Sequence, residues 1–250
     1  MVSLLHLSSM SNALVIIPTY NEIENMSKML DTIMNLNEGF DVLIVDDGSP
    51  DGTAQVVREK MDAYSGYIHL EERTGKLGLG TAYIHGFKWA LARGYEYIFE
   101  MDCDFSHNPN DLARLKKACE DGADLSIGSR YVKGVNVVNW PMSRVLLSYF
   151  ASVYVRFITG MPIQDATAGF KCYKRATLEG INFDKIHFVG YAFQIEMKFK
   201  VWQRKMSIVE VPVIFTDRTE GQSKMSSGII KEAIFGVIKL KLWSLFQKTN

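Results

Sequence analysis

Short apolar runs alternate along this chain with stretches of helical periodicity. Strands that are buried on both faces of a parallel sheet give such apolar runs, and the intervening helices cover those faces. The sequence therefore predicts an α/β fold, a doubly wound and mostly parallel sheet flanked by helices. We expect Asn21 to cap the first helix. The predicted strands are Leu14–Ile17, Val42–Val45, Tyr67–Leu70, Tyr97–Met101 and Asp124–Ile127.

Length and charge narrow the class of protein further. The 250 residues are 47% hydrophobic and 22% charged, the ordinary profile of one globular domain. The net charge of +0 argues against a dedicated nucleic-acid-binding protein. Residues 1–60 hold three basic and nine acidic residues, whereas residues 198–250 hold ten basic and four acidic residues. This basic C-terminal stretch predicts an anionic partner, such as a phosphate or a lipid surface.

Cysteine usage and hydropathy indicate the compartment. The cysteines at 103, 119 and 172 are widely spaced and are predicted to be free thiols in a reducing cytoplasm. No secretory signal is recognisable, and no apolar run is long enough to span a bilayer. Residues 139–159 and 228–250 are amphipathic, so we expect either interfacial helices or helices that pack on the core or on each other. The predicted location is the cytoplasm, with peripheral association at the cytoplasmic face of a membrane.

Polar segments follow the predicted strands where parallel strands would end. These segments are Pro18–Glu22, Asp46–Gly52, Asp102–Asp104 and Gly128–Arg130. Ligands of doubly wound sheets bind beyond the carboxyl ends of the strands. The four segments therefore predict one ligand site at this edge of the sheet.

Carboxylates in two of these segments have two interpretations each. Asp102 and Asp104 can hold a hard divalent cation together with ligand phosphates, or they are turn residues before the next helix. Asp47 either accepts hydrogen bonds from a ribose or base, or it is simply a turn-forming residue. The glycine-rich segment 75–81 matches neither a P-loop nor a dinucleotide fingerprint and is interpreted as a flexible loop before the next helix, with or without an approach to a phosphate. The histidines show no metal-binding spacing, so no role is predicted for them.

Motifs along most of the chain resemble one enzyme family. Val15–Glu22 followed by Asp46–Ser49 resembles the opening of the inverting glycosyltransferases of family 2, which have the Rossmann-like GT-A fold. The chain looks like the short form of the dolichol-phosphate (polyprenol-phosphate) mannosyltransferases, which lacks C-terminal transmembrane helices. The motifs that carry this narrower resemblance are Asp102-x-Asp104-x-Ser106-His107-x-Pro109, Gly128-Ser129-Arg130-Tyr131, Asp165–Phe170 and Arg218-x-x-Gly221-x-Ser223-Lys224. We accordingly expect a tail (1–12), a GT-A domain (13–227) and a C-terminal amphipathic helix (228–250).

The resemblance implies transfer of mannose from GDP-mannose to a dolichyl or polyprenyl monophosphate, with Mg²⁺ or Mn²⁺ as cofactor. The implied metal ligands are Asp102, Asp104 and Ser106. The implied catalytic residues are Asp104, Arg130, Arg218 and Lys224. The implied substrate-binding residues are Pro18, Tyr20 and Glu22 around the guanine, Val45 and Asp47 near the nucleoside, and Asp102, Cys103, Asp104, Arg130, Asp165, Arg218 and Lys224 in the rest of the site.

Acceptor chemistry agrees with the residue types in these motifs. A lipid monophosphate has a second pKa of about 6, so its dianion can attack the anomeric carbon without a dedicated general base. Such an acceptor needs cations that position it, and Arg130, Arg218 and Lys224 are the candidates, unless they are solvated charges. The polar segment Arg218–Gly228 is predicted to be a mobile loop that closes over the bound donor.

Other functions remain open at this point. The chain could be a family 2 transferase that uses GDP-glucose or UDP-glucose, a nucleotidyltransferase, or a non-catalytic subunit that docks on a membrane. The expected partners are GDP-mannose, the polyprenyl phosphate and a membrane surface, with or without a small membrane-anchoring subunit. No nucleic acid is expected among them.

Overall fold

The structure is a computed structural model that describes residues 11–218 and 227–246. The strands of its central sheet are β1 Ala13–Thr19, β2 Phe40–Asp46, β3 Ile68–Glu72, β4 Tyr97–Glu100, β5 Leu125–Ser129, β7 Lys171–Lys174 and β8 Ile208–Pro212. They lie in the order β3-β2-β1-β4-β7-β5-β8. Only β7 pairs antiparallel with its neighbours in this sheet, so the predicted mostly parallel α/β fold is confirmed. A small parallel pair, β6 Val137–Val138 and β9 Phe215–Thr216, lies outside it.

Helices cover both faces of the sheet. They are α1 Ile23–Met34, α2 Thr53–Ala63, α3 Leu79–Arg93, α4 Leu112–Glu120, α5 Met142–Thr159, α6 Arg175–Glu179, α7 Ala192–Gln203 and α8 Ser227–Phe246. Side chains of β1 alternate between two apolar cores: Leu14 and Ile16 pack with α3 and α7, whereas Val15 and Ile17 pack with α1, α2 and α4. This burial on both faces is why the strands read as unbroken apolar runs.

Strand β7 escapes the sequence pattern because two of its four residues are lysines. Lys171 is nevertheless fully buried, and its Nζ lies 2.9 Å from Glu100 Oε1 on the neighbouring strand. Glu100 also accepts a hydrogen bond of 2.9 Å from the Tyr173 hydroxyl. Pairing makes these buried charges tolerable in the core.

The start of α1 is capped from a different loop than the sequence predicts. Asn21 was the expected cap, but its backbone has a φ of 56° and its N–H donates to Ser49 Oγ at 2.9 Å. The N–H of Ile23 donates instead to Asp51 Oδ2 at 3.1 Å. The loops after β1 and β2 are thereby joined, which holds the segment before α1 beside the Asp47 turn.

The two predicted amphipathic stretches form α5 and α8, which pack against each other. The Tyr154 hydroxyl on α5 donates to the Ile234 carbonyl at 3.0 Å, and Lys241 Nζ on α8 donates to the Thr159 carbonyl at 3.1 Å. Both helices still expose large apolar side chains, among them Phe157 at 85% and Phe235 at 64%. Among the described residues, no helix is long and apolar enough to cross a membrane.

Candidate active site

The polar ends of the parallel strands meet in one cleft of about 760 Å³. Tyr20 after β1, Asp47 after β2, Asp102 after β4 and Arg130 after β5 all line it. The carboxyl ends of parallel strands share one sheet edge, so this convergence follows from the topology. The cleft continues from this edge to the surface between α5 and α8.

Two carboxylates form the acidic centre of the cleft, Asp102 and Asp104. The Asp104 side chain is buried, and its Oδ1 accepts the N–H of Ser106 at 3.0 Å. Its Oδ2 lies 3.0 Å from Arg218 Nη2. The Asp102 side chain keeps 42% of its surface exposed. Loss of water around this carboxyl raises the pKa of Asp102, and the charge of Asp104 adds to that rise, while His107 and Arg218 oppose it.

These two carboxylates fit a hard divalent cation. Their oxygens are the ligands that Mg²⁺ and Mn²⁺ prefer. Asp104 Oδ2 already pairs with a cationic group that lines the cleft, the guanidinium of Arg218. Within residues 11–218 and 227–246, no group of three or more His, Cys, Asp and Glu side chains could hold a metal. Asp102 and Asp104 would therefore share the ion with oxygens of a bound ligand. The contact described for Ser106 is the backbone one to Asp104, so its predicted ligand role stays a prediction.

His107 orients the acidic centre, a role that no sequence spacing indicated. Its Nδ1 accepts the backbone N–H of Asp102 at 3.2 Å, and its ring stacks on Phe170 with centroids 5.0 Å apart. The ring is 5% exposed, so this contact is part of the buried support of the site. The histidine stands in the same motif as Asp102, which is the one signal that could have pointed to it.

A second ion pair fixes the other carboxylate of the cleft. Asp47 Oδ1 accepts from Arg73 Nε at 2.7 Å, and both side chains are 9% exposed. The adjacent Asp46 is structural, because it accepts from Thr19 Oγ1 at 2.9 Å. The sequence did not single out Arg73. The side chain of Val45 is fully buried in the core, and its predicted place near the nucleoside stays a prediction.

Arg130 lines the cleft and forms a buried ion pair with Asp165, which is fully buried and does not line it. Arg130 donates from Nε to Oδ2 at 2.7 Å and from Nη2 to Oδ1 at 2.6 Å. Nη2 also donates to Thr167 Oγ1 at 2.8 Å. Burial alone would raise the pKa of Asp165, but the charge and hydrogen bonds of Arg130 outweigh it and hold that pKa below its usual range.

Arg144 joins Arg130 and Arg218 in what we call the arginine cluster. Its Nη1 lies 2.8 Å from Asp217 Oδ1, which also accepts the backbone N–H of Arg218 at 3.1 Å. The guanidinium groups of Arg144 and Arg130 lie 4.0 and 5.5 Å from the ring of Trp140. No sequence motif assigned Arg144 to the site, because only the fold brings α5 beside the strand ends. Lys224, most of the Arg218–Gly228 loop and its predicted closure lie outside the described residues.

Further residues of the predicted set line the same cleft. Pro18, Tyr20, Glu22 and Cys103 are among its walls, and the Tyr191 ring was not foreseen. At the other end, the apolar arm of the cleft runs between α5 and α8 and is lined by Leu147, Phe150, Tyr154, Ile234 and Val237.

Comparison with known proteins places this geometry in a family. The profile of Glycosyl transferase family 2 matches residues 14–181. The chain is 47% identical to the polyprenol monophosphomannose synthase of Mycolicibacterium smegmatis, over 90% of this chain and 84% of that protein. It is 46% identical to the undecaprenyl-phosphate mannosyltransferase of Micrococcus luteus, over 93% of each. These matches confirm the predicted resemblance to polyprenol-phosphate mannosyltransferases.

Solved structures show the same fold at low sequence identity. The glucosyl-3-phosphoglycerate synthase of Mycobacterium tuberculosis, in complex with Mn²⁺ and UDP, matches with a TM-score of 0.67 at 16% identity, over 95% of this chain and 81% of that one. A mannosyltransferase from Pyrobaculum calidifontis in complex with GDP-Man and Mn²⁺ matches with a TM-score of 0.57 at 18% identity, over 95% and 73%. The fold confirms the predicted GT-A class, and the profile and relatives together show that this chain is a glycosyltransferase that belongs to family 2.

Proposed function

We propose that this glycosyltransferase transfers mannose from GDP-mannose to a polyprenyl or dolichyl monophosphate with inversion, giving polyprenyl-phosphate mannose and GDP. The observation that carries the proposal is one cleft that joins an acidic centre, an arginine cluster and an apolar arm. Together they suit a nucleotide diphosphate, an acceptor phosphate and a lipid chain. The names of the relatives at 46% and 47% identity support the same reaction.

The donor would lie along the carboxyl ends of β1, β2 and β4. Asp47, held by Arg73, is the acidic residue after the second strand, where such residues accept ribose hydroxyls in doubly wound folds. Asp102 and Asp104 lie farther along the cleft, where the diphosphate follows the nucleoside. A divalent cation held by these carboxylates would stabilise the charge that develops on the departing GDP.

The acceptor phosphate would bind at the arginine cluster. Arg130, Arg144 and Arg218 supply charge-assisted hydrogen bonds that orient a phosphate dianion toward the anomeric carbon. One phosphate oxygen forms the new bond to that carbon while the bond to the GDP oxygen breaks on the opposite face, which inverts the configuration. The dianion carries no proton that a base must remove, so no general base is required. Lys224 stays a predicted partner of these phosphates.

The isoprenoid chain would leave through the apolar arm toward a membrane. The exposed apolar side chains of α5 and α8, such as Phe157 and Phe235, lie on the two helices that form this arm. Burying such side chains at the headgroup boundary is favourable and would hold the protein on the cytoplasmic surface. A small membrane-anchoring subunit, as expected from the resemblance, would add to this association.

A donor panel tests the proposal. The purified protein is incubated with polyprenyl phosphate, Mg²⁺ and radiolabelled GDP-mannose, GDP-glucose or UDP-glucose, and label is counted in the organic phase. We expect clearly more label in the organic phase from GDP-mannose than from GDP-glucose or UDP-glucose. Equal or greater transfer from a glucose donor would contradict the proposed donor. The match to Glycosyl transferase family 2 argues against the alternative that the chain is a nucleotidyltransferase.

A further inference from the structure

The glycine-rich segment Gly75–Gly80, for which the sequence left only an approach to a phosphate open, contributes to a wall of the cleft. It is held at its end by the N–H of Gly80, which donates to the Val189 carbonyl at 2.8 Å. A Cβ atom at Gly78 would lie 3.2 Å from the same carbonyl oxygen, so a larger residue would disturb the contact. On the other side, a Cβ atom at Gly48 would lie 3.6 Å from the backbone nitrogen of Gly75. The segment therefore sits close between the turn after β2 and the backbone at Val189.

This segment places a lysine at the polar end of the cleft. Lys76 Nζ lies 5.1 Å from the centre of the Tyr20 ring, and both residues line the cleft with Glu22 and Asp47. Among the described residues, the ammonium of Lys76 forms no ion pair with a carboxylate. The polar end therefore presents an aromatic ring, a carboxylate and an ammonium group beyond the residue that suits a ribose.

Such a set distinguishes nucleobases by their edges. Guanine offers two acceptors, O6 and N7, next to the donors N1–H and N2–H. An ammonium group suits the acceptors and a carboxylate suits the donors. Adenine carries an amino donor where guanine has O6, and it would repel an ammonium there. Uracil has a single N–H between two carbonyl groups and no imidazole nitrogen.

We propose that Lys76 is a specificity-determining residue of the donor site, whose ammonium donates to the O6 and N7 edge of guanine. This inference rests on the proposed GDP-sugar donor and adds the residue that selects its base. The contact of Gly80 with Val189 holds the end of this segment, and Lys76 lies beside Tyr20 at the base end of the cleft.

Base analogues test the inference directly. Dissociation constants are measured by calorimetry with Mg²⁺ for GDP, 6-thio-GDP, 7-deaza-GDP, ADP and UDP. We expect the wild-type protein to bind 6-thio-GDP and 7-deaza-GDP more weakly than GDP. Lys76→Met should bind GDP roughly five- to a hundredfold more weakly and should bind the two analogues as well as it binds GDP. Lys76→Arg should restore part of the discrimination, because its planar group also pairs with O6 and N7.

The control is Lys88→Met, which removes a surface lysine of α3. The Nζ atom of Lys88 lies 3.3 Å from Asp184 Oδ1. It should bind all five nucleotides like the wild type. Two results would show that Lys76 does not recognise the base: Lys76→Met still discriminates against both analogues, or it loses affinity equally for GDP, ADP and UDP. In either case the inference fails, while the proposed donor stands. If the wild type prefers UDP or ADP to GDP, the inference and the proposed donor fail together.

Discussion

Arg130 and Asp165 form a bidentate ion pair with both side chains buried, at 2.7 Å and 2.6 Å between their paired atoms. The pair joins the end of β5 to the loop before β7, and through them it shapes the wall of the cleft. A guanidinium held by two bonds has a fixed orientation, which leaves its remaining N–H groups pre-aligned for a phosphate.

Asp165→Asn should destabilise the protein strongly, because the buried guanidinium of Arg130 would lose its counter-ion. Breaking a buried ion pair costs about 3–5 kcal/mol, which we expect as the loss in free energy of unfolding in urea. Asp31→Asn is the matched control, because Asp31 pairs with Lys60 at the surface. This substitution should lower the free energy of unfolding by less than about 1 kcal/mol. Equal losses for the two variants would contradict the assignment.

The same pair should make stability depend on acid pH. The pKa of Asp165 is lower in the folded protein than the unfolded value of about 3.9, so its contribution is complete above that value. The stabilisation by Asp165 is lost as the pH falls below this unfolded pKa and through the lower pKa of the folded protein. The difference in unfolding free energy between wild type and Asp165→Asn should therefore narrow from about pH 5 to about pH 3. A difference that stays constant over this range would speak against the pair.

Asp104→Asn should abolish metal binding while the fold persists. The change keeps the size of the side chain and removes the charge that a divalent cation needs, so we expect transfer to fall at least about a hundredfold. Mn²⁺ titration followed by electron paramagnetic resonance measures the binding. Asp121→Asn, at a surface pair with Lys117, is the control and should bind Mn²⁺ normally. Normal Mn²⁺ affinity in Asp104→Asn would rule out this site.

Arg144→Ala should weaken binding of the acceptor phosphate and leave binding of the donor nucleotide unchanged. Removing a charge-assisted hydrogen bond costs about 1.5–3 kcal/mol, so the KM for polyprenyl phosphate should rise about ten- to a hundredfold. The dissociation constant of GDP should not change. Arg58→Ala, which removes a surface pair with Glu72, should alter neither value. An unchanged acceptor KM in Arg144→Ala would remove this residue from the arginine cluster.

Exposed apolar side chains on α5 and α8 should hold the protein on membranes. Phe157→Ser combined with Phe235→Ser removes two rings that are 85% and 64% exposed, each worth about 1.5–3 kcal/mol if buried in lipid. Sedimentation with anionic liposomes should fall at least about tenfold. Val209→Ser, at an exposed position on β8, is the control and should sediment like the wild type. Equal sedimentation of all three proteins would mean that these helices do not face lipid.

Local sequence was sufficient for the parts of the site that lie at strand ends. Asp102, Asp104 and Asp47 follow buried strands, so the topology alone brings them to one edge, as the sequence predicts. Burial on both faces likewise marks β1 and β2 as apolar runs.

Long-range pairing explains what the sequence could not predict. Arg73 and Arg144 acquire their place through Asp47 and Asp217, partners distant in the chain. Strand β7 is hidden because Lys171 is compensated by Glu100 only once the strands are adjacent. Such tertiary compensation overrides local propensity and leaves no periodic signal.

Mass spectrometry of the product shows whether the protein transfers mannose to a lipid phosphate. The protein is incubated with GDP-mannose, Mg²⁺ and polyprenyl phosphate, and the lipid and GDP are quantified together. We predict a lipid heavier by one hexosyl unit, formed in equal amount with GDP, and no comparable GDP release when the lipid phosphate is omitted. GDP release that is independent of the lipid, or a lipid of unchanged mass, would contradict mannose transfer to the lipid phosphate.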